Sequence, residues 1–251
     1  MVVGLESFKK WFKDYEEQYV IIGGTACSLL MMDEGLDFRA TKDLDMVLII
    51  EAITPEFGKC FWEYILNAEY EHKNKSTGLP QFYRFSHPRS REYPFMIELF
   101  IKHVKGIYLP DDAVLTPLPM DEDISSLSAI LLDEDYYHLL SDGKIKIDDI
   151  SILEAKYLIL FKAKAWLDLT NRKRNGEHVD SKNIRKHKND VFRLSMLLTP
   201  NEKVNMNIKI KQDMKNFLFA MQQEKIDTKQ LGLNIAQEDI LKLLSKIYIE
   251  E

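Results

Sequence analysis

The stretch "IIGGTACSLLMMDEGLDFRATKDLDMVLII", residues 21–50, decides the fold. An apolar run ends in Gly23-Gly24, a segment of helical character follows, and a second apolar run opens with two aspartates, Asp43 and Asp45. Glycines at a strand-to-helix handover permit a sharp turn and a close approach to the main chain. The helix behind them, read as residues 25–35 with Thr25 capping its first turn, aims free amides and the positive end of its dipole at that turn. Such a place attracts phosphate, although many turns of this kind use glycine for geometry alone.

In a strand over 43–50, Asp43 and Asp45 project to the same face, with carboxylates within roughly 7 Å of each other by the ~3.3 Å rise per residue. Met46 to Ile50 make both faces apolar, the pattern of a central, covered strand. Aspartate is disfavoured in strands, and like charges beside a core repel. Either the strand end is wet and solvates both groups, or a divalent cation takes their oxygens together with substrate phosphates, Mg2+ above all. Glu98 bears on the choice. In "PFMIELFI" it is a lone carboxylate between Met96 and Phe100 on one strand face, costly to bury without a cation or donor. It either completes a three-carboxylate set with Asp43 and Asp45, or pairs with Arg84 across a hairpin, or points to water.

Outward from this centre, Leu5, Phe8, Trp11, Phe12 and Tyr15 recur at helical spacing, which predicts a helix over 5–17. "QYVIIGG" reads as a short buried strand. Residues 55–70 read as a helix, and "PQFYRFSHP" with "YPFMIELFI" as a hairpin. A Pro- and Asp-rich stretch occupies 109–123, and "KIKIDDISIL" suggests one more strand. From Ile152 the pattern turns helical, in "ILEAKYLILFKAKAWLDL", "SKNIRKHKNDVFRLSMLL", "KQDMKNFLFAMQQE" and "AQEDILKLLSKIY". The expected fold class is α/β (α+β): a mixed sheet with flanking helices over residues 1–150, then a helical domain over 151–251.

The 251 residues are 45% hydrophobic and 29% charged, a globular composition that argues against disorder. No apolar run has membrane-span length and the N-terminal segment lacks a secretory layout, so no membrane association and cytoplasmic residence are expected. Cys27 and Cys60 make no disulfide framework, and the six histidines show no zinc spacing. Trp11, Trp62 and Trp166 fall on apolar helix faces and are expected in the core. The net charge of −6 is unevenly spread: residues 172–188, "RKRNGEHVDSKNIRKHK", hold seven Lys/Arg against two acids. A basic segment on an acidic protein marks either a nucleic-acid face or a solvated surface.

The order of "GGT", "RATKDLD" and a strand with a single acid resembles the nucleotidyltransferase superfamily, with its Gly-Gly/Ser turn, D-x-D strand and third strand carboxylate. It is most similar to the AbiEii-type branch, the toxin half of abortive-infection toxin–antitoxin pairs. "GGTACSLL" looks like that branch's first motif, and Arg39, Thr41, Asp43 and Asp45 match its R-x-T-x-D-x-D. Lys188 and Asp190 match the first two positions of its helical K-x-D-x-x-D motif, whose third position is Arg193 here, a departure. "FKAKAWLDL" resembles the preceding family helix, with Lys162 and Ala165 in place. The likeness spans 19–50 and 90–101 most closely, then 145–195; residues 200–251 match no family segment.

The resemblance implies an NTP (ATP, GTP or CTP) whose phosphates lie on Gly23, Gly24 and the helix amides, with Thr25 offering its hydroxyl. Arg39 either contacts phosphate or pairs with Asp43, and Thr41 belongs to the same nucleotide-binding set. Asp43, Asp45 and Glu98 would be the metal ligands and, with Lys188 and Asp190, the catalytic residues. Mg2+ is the implied ion, with Mn2+ as its substitute. Lys188 either reaches the phosphates, helps close the cleft, or is a solvated lysine. The implied acceptor is RNA, tRNA ends in particular, and the implied protein partner a cognate antitoxin. Two other functions share these residues. One is transfer to a small molecule such as an aminoglycoside, and the other is a nucleotide-binding or protein-interaction module without chemistry.

Overall fold

The computed structural model describes residues 3–49, 51–71, 84–100, 130 and 133–250. The Pro- and Asp-rich stretch 109–123 and the first residues of the expected hairpin lie outside them. The chain forms two compact units, residues 1–124 with 144–153, and residues 125–143 with 154–251. The fold is mixed α/β, as expected, with a six-stranded sheet in the first unit and helices throughout the second.

The first unit opens with helix α1, Leu5–Phe12, which buries Leu5, Phe8 and Phe12. It stops five residues short of the expected end. A single 3₁₀ turn, Glu16–Gln18, then leads into strand β1, Tyr19–Ile22. Gln18 fixes this entry: its carbonyl accepts from Ile49 N, and its side-chain oxygen accepts from Thr54 N at 2.9 Å. Helix α2, Gly23–Asp33, follows without a linker. Strand β2 is Asp43–Leu48, and helix α3, Pro55–Asn67, starts at a Thr54 cap whose hydroxyl accepts from Phe57 N. Strands β3, Arg84–Ser86, and β4, Met96–Phe100, pair antiparallel, forming the expected hairpin.

Residues 144–153 make two strands rather than one: β5, Lys144–Ile147, and β6, Ile150–Leu153, paired antiparallel. Asp148 and Asp149 between them have φ of 50° and 61°. Two consecutive positive φ values are what a two-residue hairpin turn of the right twist requires, and aspartate tolerates them. The sheet order is β3-β4-β2-β1-β6-β5. β1 runs antiparallel to β2 and parallel to β6, and β2 runs parallel to β4. One face carries Tyr19, Ile21, Leu44, Met46, Phe85, Ile97 and Leu99, all buried. Aromatic side chains of α1 and α3 close over it, Phe8 edge-on to Tyr19 at 5.4 Å and Phe61 edge-on to Phe85 at 5.5 Å. One face of the sheet thus carries this aromatic core, and the other carries the aspartates beside buried Val20, Ile22, Val47 and Phe100.

The second unit contains α4, Glu134–Asp142; α5, Ala155–Arg174; α6, Ser181–Leu194; α7, Ile208–Gln222; and α8, Gln237–Tyr248. The first two-thirds of α5 is buried nearly all round, as a central helix must be. Trp166 meets Phe217 of α7 edge-on at 5.5 Å, and Tyr136 of α4 meets Phe161 at 5.5 Å. Trp166 is core as expected, whereas Trp11 and Trp62 of the first unit are half-buried. Among the described residues no helix is long and apolar enough to cross a membrane.

Candidate active site

β2 delivers Asp43 and Asp45 to the sheet face opposite the aromatic core, and β4 delivers Glu98 to the same face. In the parallel β2–β4 register Asp45 lies beside Glu98 and Asp43 beside Met96. In the antiparallel β1–β2 register Asp45 lies beside Ile22, the residue before the glycines. In the β3–β4 register Glu98 lies beside Arg84. Neighbouring strands carry register partners to the same side. A single row therefore crosses four strands: Arg84, Glu98, Asp45, and Ile22 with the glycine turn after it. At about 4.8 Å per strand the row spans roughly 14 Å.

The turn itself explains why two glycines stand there. Gly23 has φ 71°, and a Cβ on it would fall 1.7 Å from Asp45 Oδ2. A Cβ on Gly24 would fall 2.8 Å from Thr41 Oγ1 and 3.2 Å from Arg39 Nη2. The bare backbone is thus the floor on which Asp45, Thr41 and Arg39 lie. A side chain at either position would push that group off the turn. Five residues from the two motifs, Gly23, Gly24, Arg39, Thr41 and Asp45, are gathered in van der Waals reach. The stacking of the Arg39 guanidinium over the Phe38 ring, 5.1 Å from its centroid, adds support from the side.

Thr25 does something other than cap. Helix α2 begins at Gly23, its N-cap residue is Ile22, and no side chain caps it. Thr25 is fully buried, and its hydroxyl donates to the Asp43 carbonyl at 2.7 Å. It ties the first turn of α2 to the start of β2 and so positions the aspartates. Cys27 contributes similarly, its thiol donating to the Gly23 carbonyl at 2.9 Å.

Glu98 takes the cross-hairpin partner. Arg84 donates to its Oε1 through Nε at 2.9 Å, with Nη2 2.8 Å from the same oxygen. Among the described residues no three His, Cys, Asp or Glu side chains form a group that can hold a metal ion. Glu98 thus shares a face with the aspartates without forming, in this arrangement, the expected three-ligand cluster. The pair Asp43 and Asp45 still suits Mg2+, which commonly takes only one or two carboxylates and fills its shell with water and substrate phosphates.

The helical-motif residues are placed in the second unit. Asp190 is fully buried and Lys162 nearly so, with Lys162 Nζ 3.3 Å from Asp190 Oδ2. Arg193, the departure from the motif, sits with Nη1 3.9 Å from the other carboxylate oxygen. Asp190 therefore joins α5 to α6 from inside. Lys188 is ion-paired with Glu224. In the basic segment the two acids are used locally: Glu177 accepts from Arg172 at 2.6 Å, and Asp180 caps α6 through Lys182 N. Lys173, Arg174, Lys182 and Arg185 are exposed. No family model matches the chain, and none of the curated proteins matches it.

Proposed function

We propose that the protein is a Mg2+-dependent nucleotidyltransferase that moves a nucleoside monophosphate from an NTP to an acceptor hydroxyl of RNA. The observation that carries this is the Gly23 turn with the Asp45 carboxylate lying on it, Glu98 in the next register position and Arg39 and Thr41 on Gly24. Backbone amides, a hydroxyl and a guanidinium at one helix start are donors for phosphate, and paired carboxylates beside them attract the cation that phosphate carries. When bound, Mg2+ or Mn2+ supplies charge neutralisation and polarises the phosphoryl oxygens. Asp43 and Asp45 would hold it.

The chain's own groups then have distinct tasks. Arg39, Thr41 and the first amides of α2 bind the triphosphate. Gly23 and Thr25 fix where Asp45 and Asp43 stand. The acceptor hydroxyl oxygen bonds to the α-phosphorus, and the bond from that phosphorus to the bridging oxygen breaks. Pyrophosphate leaves with the electron pair, and the hydroxyl proton passes to Glu98 or to water. Positioning and charge stabilisation supply most of the rate. In this scheme Asp190 is a scaffold residue and Lys188 a peripheral one. Likeness to the AbiEii-type branch extends the proposal to a toxin-like role restrained by an antitoxin.

One observation favours a second function, a nucleotide-binding module without chemistry: Arg84 neutralises Glu98 where an acceptor-side carboxylate is needed. A single experiment separates the two. The protein is incubated with Mg2+, each α-labelled NTP and total RNA, beside an Asp43→Asn/Asp45→Asn control. Label in RNA that vanishes in the control is the expected result. NTP binding with no transfer to RNA or to an aminoglycoside would leave only the module.

A further inference from the structure

We infer that Arg84 is a specificity-determining residue that binds a phosphate of the acceptor strand, so that the acceptor side of the site is built for an anionic nucleic acid. The inference rests on the transferase function proposed above and deepens it. Its basis is the order of groups in the row. The glycine turn and its donors stand at one end, Asp45 and Glu98 follow, and Arg84 stands at the far end on β3. A transfer needs the same sequence of tasks across a site: leaving triphosphate tail, reacting phosphorus, proton acceptor, incoming strand. The group next to the proton acceptor is the one the incoming substrate meets first.

Arg84 has the chemistry and the room for that task. Its Nε and Nη2 both converge on one oxygen, Glu98 Oε1. Among the described residues nothing is bonded to Nη1 or to Glu98 Oε2. The side chain is 38% exposed while that of Glu98 is 15% exposed, so the guanidinium is the outer member of the pair. An arginine has five N–H donors in a planar fork, and a carboxylate met along one side leaves the opposite edge for a second anion. Glu98 holds the fork in place, and the fork's other edge, which makes no bond among the described residues, carries positive charge on β3. A cationic acceptor such as an aminoglycoside meets a like charge there, whereas a phosphodiester meets two aligned donors.

The test uses the full chain and two measurements. The first is fluorescence anisotropy of a labelled single-stranded oligouridine 12-mer in EDTA, over a series of KCl concentrations. The second is steady-state transfer from α-labelled NTP with RNA varied. Arg84→Gln is expected to weaken oligouridine binding and to reduce the slope of log K against log [KCl] by about 0.7, the value for one phosphate contact on a single strand. KM for RNA rises and KM for NTP stays. Arg84→Lys restores the slope. Glu98→Gln, read only in the metal-free binding assay, tightens binding by releasing the fork. Arg84→Gln that keeps the wild-type slope and RNA KM, with only a lower melting temperature, overturns the inference and makes Arg84 a strand clamp. Transfer to RNA with that unchanged slope sinks the inference while the transferase stands. An Arg84-dependent slope with no transfer sinks the transferase while the phosphate contact stands.

Discussion

Two sets of carboxylates, one in each unit, differ in what surrounds them. In the helical unit Asp190 is fully buried and held by Lys162 at 3.3 Å, with Arg193 at 3.9 Å. In the sheet unit Asp43 and Asp45 are partly exposed at the start of a strand, with a third acid, Glu98, one register step from Asp45. A buried carboxylate with cations on both oxygens has lost its water and is compensated on the spot, so its free energy goes into holding two helices together. The carboxylates at the half-exposed strand end lie against a glycine turn and keep contact with water. The contrast sets a buried, compensated carboxylate against partly exposed ones to which we assign chemistry only by proposal.

The largest expected effect tests the helical side. Asp190→Ala leaves Lys162 charged inside the unit, and breaking a buried pair costs about 3–5 kcal/mol. Chemical denaturation followed by circular dichroism reads it directly. A loss below about 1 kcal/mol would show that the carboxylate is not compensating Lys162 and would return Asp190 to the candidate catalytic set. The next effect tests the sheet side. Asp45→Asn should lower transfer at least about 10²-fold, in line with loss of a preorganised charged group, with a small change in stability. A variant that unfolds but transfers normally per folded molecule would invert the comparison.

Much of the sheet side was legible in residues 21–50. The alternation-free run after Asp45 marks β2 as central, and it lies between β1 and β4. The Arg84 partner for Glu98 is visible in the hairpin register, because both residues face one way once the turn is placed. Less legible was the start of α2. Thr25 looks like a cap, but Gly23 with φ 71° lets the helix begin two residues earlier, and the hydroxyl turns to Asp43 instead. The β5–β6 turn was hidden because Asp148-Asp149 supplies the positive φ values that Asn-Gly usually announces. The burial of Asp190 was hidden too. A lysine-rich helix gives no sign that one acid faces inward, since its partner Lys162 lies 28 positions earlier on a different helix.

A third, intermediate effect probes how the glycine turn serves Asp45. Gly23→Ala places a methyl 1.7 Å from Asp45 Oδ2 and imposes a left-handed backbone on alanine. The backbone term alone is about 1–2 kcal/mol. Displacing the carboxylate by about 1 Å is worth on the order of 10²-fold in rate. The transfer assay should therefore fall further than the thermal shift predicts. Equal losses would mean that the glycine serves folding only, and the sheet-side cluster would then resemble the helical one.

The smallest effect concerns Lys188, where the family likeness and the geometry point different ways. The resemblance leads to the expectation that its ammonium reaches phosphate, helps close the cleft, or is solvated. In the structure it is paired with Glu224, whose side chain is 39% exposed. A pair of that exposure is worth about 0–1 kcal/mol, because water screens it and two long side chains must be ordered to form it. Lys188→Ala should shift the denaturation midpoint slightly and leave the KM for NTP within about twofold, since no phosphate contact worth more than a few tenths of a kcal/mol would be lost. A rise of about tenfold in that KM, equivalent to about 1.4 kcal/mol of binding, would give Lys188 a role in NTP use beyond its pair with Glu224. Charge in the helical unit would then be divided between a buried clamp at Asp190 and a working cation two residues away.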